Sequence, residues 1–159
     1  MNKEIKSYLK AEMIVAAAFN FFINGMVAGL IHHKADYVAT DVISIAVDLT
    51  CTCLFIFMIT ALFCRASLRR TKTLGILETK SRFMLFASRL FSRPFLFGLV
   101  MGLVTAAILF APVALLFLLL GIYAIPFGLY VALKCAFAAL LGGGVTLFEL
   151  YSGMCIPRE

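Results

Sequence analysis

Four long apolar segments constrain this chain more than any other feature. They cover about residues 13–31, 42–64, 95–121 and 127–150. Each reaches the length of about 20 residues that a helix needs to cross a bilayer. Of the 159 residues, 64% are hydrophobic and 14% are charged, whereas an ordinary soluble domain is about 45–50% apolar. We therefore expect an all-α integral membrane four-helix bundle, a single membrane domain over residues 1–159 without a separate enzyme domain.

The distribution of basic residues predicts how the segments are oriented. The loop over residues 65–94 has eight Lys and Arg against the single acid Glu78, and Lys3, Lys6 and Lys10 precede the first segment. An excess of Lys and Arg marks the cytoplasmic side. Both termini and this basic loop should then be cytoplasmic, so the segments form two antiparallel transmembrane hairpins in the cell (inner or plasma) membrane. The net charge of +6 favours contact with anionic inner-leaflet lipids, and nucleic-acid binding is not expected.

Part of the basic loop has the spacing of a helix. Phe83, Phe86, Ala87 and Leu90 recur at helical intervals, a pattern typical of an amphipathic helix that lies on a membrane surface. An equally weighted alternative is a plain loop followed by a continuation of the third membrane helix.

Glycine pairs suggest how the helices pack. Gly25 and Gly29 in the first hairpin can be aligned with Gly98 and Gly102 in the second, which gives a weak parallel internal repeat about an axis along the membrane normal. Small residues at this spacing let helices approach closely. We interpret the four glycines as helix-packing residues, which could also support a homo-oligomer or contact with another membrane protein.

Polar residues inside the apolar segments are the best candidates for a functional site. Asn24, Asp48 and Lys134 lie six or seven positions from the outer ends of their segments, which places them at nearly one depth of roughly 9–11 Å. An ionised group in the bilayer is costly unless it is paired, so we expect Asp48 and Lys134 to form an ion pair. The complete candidate set for a ligand or ion pathway is Asn20, Asn24, Asp41, Asp48, Tyr130 and Lys134. Asn24 and Tyr130 are expected to complete the hydrogen bonds of the pair.

Two interpretations of this cluster stay open. Intramembrane ionisable groups often mark an ion pathway or a polar substrate pocket, and the same pair could simply hold helices in register. The first interpretation predicts a small transporter or channel-like permease component for a small polar or ionic solute. The alternative is a non-transporting scaffold, assembly factor or regulatory subunit of a larger membrane complex. We expect no enzymatic activity and no cofactor.

Three further groups of residues have weaker patterns. Cys51 and Cys53 raise the possibility of a thiol redox enzyme. We rank it a distant third, because residues two apart on a helix point in nearly opposite directions. His32, His33 and Asp36 resemble metal ligands in type only, since neither their number nor their spacing matches a known zinc or iron site, and no metal is expected. Glu149 should form an ion pair with Arg65 or Arg93 at the inner rim, and Gly142, Gly143 and Gly144 should mark close helix packing.

Overall fold

A computed structural model describes residues 3–70 and 77–157, except for the side chains of residues 78, 156 and 157. The described residues form five helices. These are α1 (Lys3–His32), α2 (Val42–Arg70), α3 (Arg82–Phe91), α4 (Pro94–Leu119) and α5 (Phe127–Met154). All except α3 are long and apolar enough to cross a membrane, so the all-helical character and a multi-pass membrane protein are confirmed.

Two helices extend beyond the apolar segments that predicted them. α1 begins at Lys3 rather than near residue 13, and α2 continues to Arg70 rather than ending near residue 64. The added part of α1, residues 3–12, buries Ile5 and Leu9, and most of its other residues are polar. Hydrophobicity averaged over all faces of a helix does not reveal a narrow apolar face of this kind. The predicted segments were therefore too short.

The extensive helix contacts run between the two predicted hairpins rather than within them. α1 packs along α5, α2 packs along α4, and α2 and α5 meet at the centre, whereas α1 and α2 contact each other only slightly. The helices therefore follow the order α1, α5, α2, α4 across the molecule. Residues of α2 and α5 with no or almost no exposed surface fill the centre, among them Cys53, Ile56, Ala61, Ala138 and Leu150.

Short strands join the connections, and the sequence pattern did not predict them. β1 (Tyr37–Ala39) pairs antiparallel with β3 (Ala124–Pro126), and β2 (Leu77–Thr79) pairs parallel with β4 (Cys155–Pro157). We call the end with β1 and β3 the outer end and the end with α3 the inner end. Strands of three residues are too short to show a hydrophobic alternation.

Two element boundaries recur at one interval in the two halves of the chain, and this interval differs from that of the glycine alignment. His32 ends α1 and Leu119 ends α4, and the same interval separates the starts of β1 at Tyr37 and β3 at Ala124. The interval from Gly25 to Gly98 is shorter. Gly25 lies near the outer end of α1 and Gly98 near the inner end of α4, so the two are not equivalent positions.

Three of the four predicted packing glycines approach a neighbouring helix. A Cβ atom on Gly98 would lie 2.7 Å from the Cα of Met58, and one on Gly102 would lie 3.0 Å from the Cα of Leu54. A Cβ on Gly25 would collide with the Sγ of Cys135 on α5. Gly29 differs, because a Cβ there meets nothing within 4 Å among the described residues.

The amphipathic segment of the basic loop forms a helix of its own. The Ser81 side chain caps α3 by accepting a hydrogen bond from the Met84 amide, and Pro94 starts α4 as a new helix. Ala87 is fully buried, whereas Phe83 and Phe86 are each 55% exposed. A continuation of the third membrane helix is therefore excluded, and contact of α3 with the membrane surface stays a prediction.

Candidate functional site

A cavity of about 180 Å³ lies between α1, α2 and α5 in the outer half of the molecule. Val27, Ile31 and Phe55 contribute apolar walls. The polar lining consists of Asn24, His32, Asp48, Thr52, Tyr130 and Lys134. Four of the six predicted pathway residues thus border one space, as the common depth of their positions suggested.

An ion pair between α2 and α5 forms part of the lining of this cavity. The Nζ of Lys134 contacts the Oδ1 of Asp48 and lies 2.6 Å from the Oγ1 of Thr52. The Thr52 hydroxyl donates its own proton to the carbonyl of Asp48 at 2.6 Å, which leaves its oxygen able to accept from the ammonium. The Lys134 side chain is 10% exposed and the Asp48 side chain 43%, so the carboxylate is the more accessible partner.

Tyr130 holds the carboxylate from the outer side. Its hydroxyl donates to the Oδ1 of Asp48 at 2.9 Å, and its ring centroid lies 5.9 Å from the Nζ of Lys134. The ring of His32, at the end of α1, packs edge-on against Tyr130 with centroids 5.1 Å apart. Tyr130 therefore fulfils the predicted hydrogen-bonding role and links the ion pair to α1.

The two bonds to Asp48 from α5 both end on one oxygen. Within residues 3–70 and 77–157, no hydrogen bond reaches Oδ2 of Asp48. An accessible carboxylate oxygen in a largely apolar cavity is a strong acceptor for an N–H or O–H donor. A solute in the cavity could bind there without first breaking the ion pair.

The two asparagines of α1 do not bond to the ion pair. Asn20 Nδ2 donates to the carbonyl of Ala16 at 2.9 Å, and Asn24 Nδ2 donates to the carbonyl of Asn20 at 3.1 Å. Asn24 borders the cavity, but its predicted bond to the pair was wrong because its amide is engaged by its own helix. Asn20 is buried against Gly142, where a Cβ would lie 2.6 Å from the Asn20 Cγ.

Asp41 lies outside the cavity and caps α2. Its Oδ1 accepts from the amides of Ile43 and Ser44 at 3.0 and 3.1 Å, and its Oδ2 accepts from the Ser44 hydroxyl at 2.6 Å. The Ser44 side-chain bond, followed by the backbone bonds, lowers the pKa of Asp41 below its usual value. Asp41 is therefore a helix cap rather than part of the pathway.

The metal-ligand candidates and the cysteine pair do not form sites of their own. His33 Nδ1 donates to the carbonyl of Leu30 at 2.9 Å, and Asp36 is exposed. The described part of the chain has no group of three or more His, Cys, Asp or Glu side chains that could hold a metal. Cys51 is exposed and Cys53 is fully buried, so the two thiols face opposite sides of α2.

The contacts between α1 and α2 lie on the inner side of the cavity. These helices meet in the inner half, where the Tyr8 and Ser67 hydroxyls are 2.7 Å apart and Ser67 donates to Glu12 at 2.7 Å. Further toward the cavity, the rings of Phe19 on α1 and Phe63 on α2 are in contact, with centroids 5.9 Å apart. In the outer half the two helices border the cavity together with α5, so these contacts close its inner side.

The expected rim position of Glu149 is wrong. Its side chain is 0% exposed on α5, and Arg65 donates instead to the carbonyl of Ser92. The missed signal is the spacing of α5, where the polar face of Tyr130, Lys134 and Ala138 continues inward in steps of four and three residues. That continuation reaches Gly142, Val145, Glu149 and Ser152, which are all buried.

No protein-family model, curated protein sequence or solved structure matches this chain.

Proposed function

We propose that the protein is a small, non-enzymatic transporter that moves a small polar or ionic solute across the cell membrane. The observation that carries this proposal is the Asp48–Lys134 pair in the lining of a cavity between α1, α2 and α5, with contacts between α1 and α2 on its inner side. Ionisable groups inside a membrane bundle are costly and commonly belong to solute or ion pathways.

The closed inner half supports a transport cycle rather than an open channel. Below the cavity, Ile56 and Ala61 of α2 and Leu150 of α5 are fully buried. A binding site near the membrane interior that is open to one side at a time is the geometry of alternating access. In this proposal both termini are cytoplasmic, and the cavity faces the outside.

The chemistry of the cavity indicates the class of solute. The accessible Oδ2 of Asp48 accepts a hydrogen bond, while Val27, Ile31 and Phe55 offer apolar contact. The Lys134 ammonium is already occupied by Asp48 and Thr52. A small solute with an N–H or O–H donor, such as an amine or an amino acid, fits these groups better than a simple anion.

The experiment is uptake into proteoliposomes that contain only this protein. Radiolabelled small amines, amino acids and organic anions serve as probes, and an entrapped pH-sensitive dye follows protons. We expect saturable uptake of at least one donor-bearing probe and at least a tenfold loss in Asp48→Asn, since loss of about 1.4 kcal/mol of binding is a factor of ten. Asp41→Asn is the matched control and should transport as the wild type does.

Absence of uptake by folded wild-type protein for every probe would reject the transport proposal. If such a preparation also brings down a second membrane protein in stoichiometric amount, the scaffold or regulatory-subunit alternative is favoured instead. Equal uptake by Asp48→Asn and the wild type would support transport but show that the ion pair has no role in it.

A further inference from the structure

A second polar group lies in the inner half of the molecule, away from the cavity. Glu149 is 0% exposed, and its neighbours along α5, Thr146 and Ser152, are 2% and 0% exposed. In the part of the chain that the structure describes, neither carboxyl oxygen of Glu149 has a hydrogen-bond partner, and the hydroxyls of Thr146 and Ser152 have none either. Buried polar groups are satisfied in most native structures, so such exceptions call for an explanation.

The side chains that face Glu149 from α2 do not neutralise it. Thr60 and Cys64 lie beside its carboxyl group. The Thr60 hydroxyl donates to the carbonyl of Ile56 at 2.7 Å, and the Cys64 thiol is directed at the carbonyl of Thr146 at 4.0 Å. Both side chains therefore have backbone acceptors within reach, and neither carries a positive charge.

The other helices that pack on α5 supply no cation. From α1, Glu12 acts electrostatically on Cys64, and this acid accepts a hydrogen bond from Ser67. α3 buries Ala87 and Phe91 and leaves Arg82 and Arg89 exposed. Across residues 3–70 and 77–157, no Lys, Arg or His forms an ion pair with Glu149.

An ionised carboxylate in these surroundings is strongly disfavoured. Desolvation costs several kcal/mol for a single buried ion, even after relaxation. A buried carboxyl group without a cation takes up a proton instead, because the neutral acid avoids most of this cost. The lack of a cation around Glu149 therefore selects the protonated form.

A metal cation fits this position less well than a proton. Thr146 and Ser152 lie roughly 9 Å apart along the helix at about 1.5 Å per residue. Oxygen ligands of one cation lie about 2.3–2.6 Å from it, so two of them are at most about 5 Å apart. The two hydroxyls flanking Glu149 cannot complete a single coordination shell.

We propose that Glu149 is a proton-binding site in the inner half of the molecule, beside Thr60 and Cys64 of α2 and distinct from the Asp48–Lys134 pair. The two sites are separated by roughly 22 Å along α5 at about 1.5 Å per residue. A role for this proton in driving solute movement rests on the proposed transport function, whereas the proton site itself does not.

The experiment is infrared spectroscopy of the purified full-length protein in lipid at neutral pH. The carbonyl stretching band of a protonated carboxyl group should be present in the wild type and be lost in Glu149→Gln, whose amide has the size of the neutral acid. Glu12→Gln is the matched control and should retain the band, because the Glu12 carboxylate accepts a hydrogen bond from Ser67 whereas Glu149 has no donor assigned to it.

Absence of the band from the wild type, or its persistence at full intensity in Glu149→Gln, would overturn the proposal. If Glu149→Gln does not fold, Glu149→Asp replaces it. The shorter acid must shift the band, and an unshifted band would then overturn the assignment. Neither result depends on whether solute uptake is observed, so failure of the proton site and failure of the transport function are distinguishable.

Discussion

The ammonium of Lys134 on α5 and the carboxylate of Asp48 on α2 form an ion pair at the interface between the two central helices. This pair joins the two helices that take part in the main helix contacts of the molecule. Both of its side chains line the outer cavity. Its position has a structural and a functional consequence, and these can be tested separately.

Loss of the Tyr130 hydroxyl should weaken the site without unfolding it. Tyr130→Phe removes a hydrogen bond of 2.9 Å to Asp48, and a hydrogen bond to a charged group contributes about 1.5–3 kcal/mol. The partial exposure of Asp48 places the expected loss at the lower end of that range. The thermal unfolding midpoint in detergent should fall for Tyr130→Phe and not for Tyr123→Phe, whose side chain is 71% exposed in the native protein.

Substitution of alanine for glycine should change the stability of the protein in opposite directions at Gly98 and Gly29. Gly98→Ala places a Cβ 2.7 Å from the backbone of Met58, and overpacking of this kind costs about 1–3 kcal/mol. Gly29→Ala meets open space and gains helix propensity of up to about 1 kcal/mol. A higher unfolding midpoint for Gly98→Ala than for Gly29→Ala would contradict the α2–α4 packing.

Thiol labelling should distinguish Cys51 from Cys53. Cys51 is exposed and borders the cavity, whereas Cys53 is fully buried. A membrane-impermeant thiosulfonate added from outside should therefore modify the wild type and Cys53→Ser but not Cys51→Ser. Unchanged labelling of Cys51→Ser, or no labelling of the wild type, would show that water does not reach the cavity from that side.

The cap at Asp41 should have a pH-dependent effect on stability. Its pKa is lowered from 3.8 chiefly by the Ser44 hydroxyl, so folding favours the ionised form. The contribution of Asp41 to stability is complete at pH values above its pKa in the unfolded state. It is lost as the pH falls through its pKa in the folded state. The difference in unfolding midpoint between the wild type and Asp41→Ala should therefore be constant near neutral pH and shrink below about pH 3.8. A difference that grows on acidification would contradict this assignment.

The sequence was sufficient to predict the four spans and the ion pair. Long apolar segments imply membrane helices, and the shared depth of Asp48 and Lys134 follows from the rise per residue of a helix. The order of the helices could not be deduced in the same way, because hydropathy says which residues avoid water and not which neighbour covers them. The predicted hairpins join helices that follow each other in the chain, whereas the main contacts are those of α1 with α5 and α2 with α4.

Single side chains were predicted less well where a local partner competes with a distant one. Asn24 was expected to bond the ion pair, but its amide is taken by the carbonyl of Asn20 on the same helix. Glu149 was assigned to the rim because it lies near the end of its apolar segment. α3 covers that end, and a covering helix cannot be recognised from the span itself.

The most direct test of the central claim is a double-mutant cycle on Asp48 and Lys134, with unfolding free energies measured for Asp48→Asn, Lys134→Met and the double variant. Each single change should destabilise the protein, Asp48→Asn more strongly because it leaves a 10% exposed ammonium without its partner. The double variant should recover part of the loss, with a coupling of about 0.5–3 kcal/mol. Additive effects of the two changes would show that these side chains do not interact and would contradict the site.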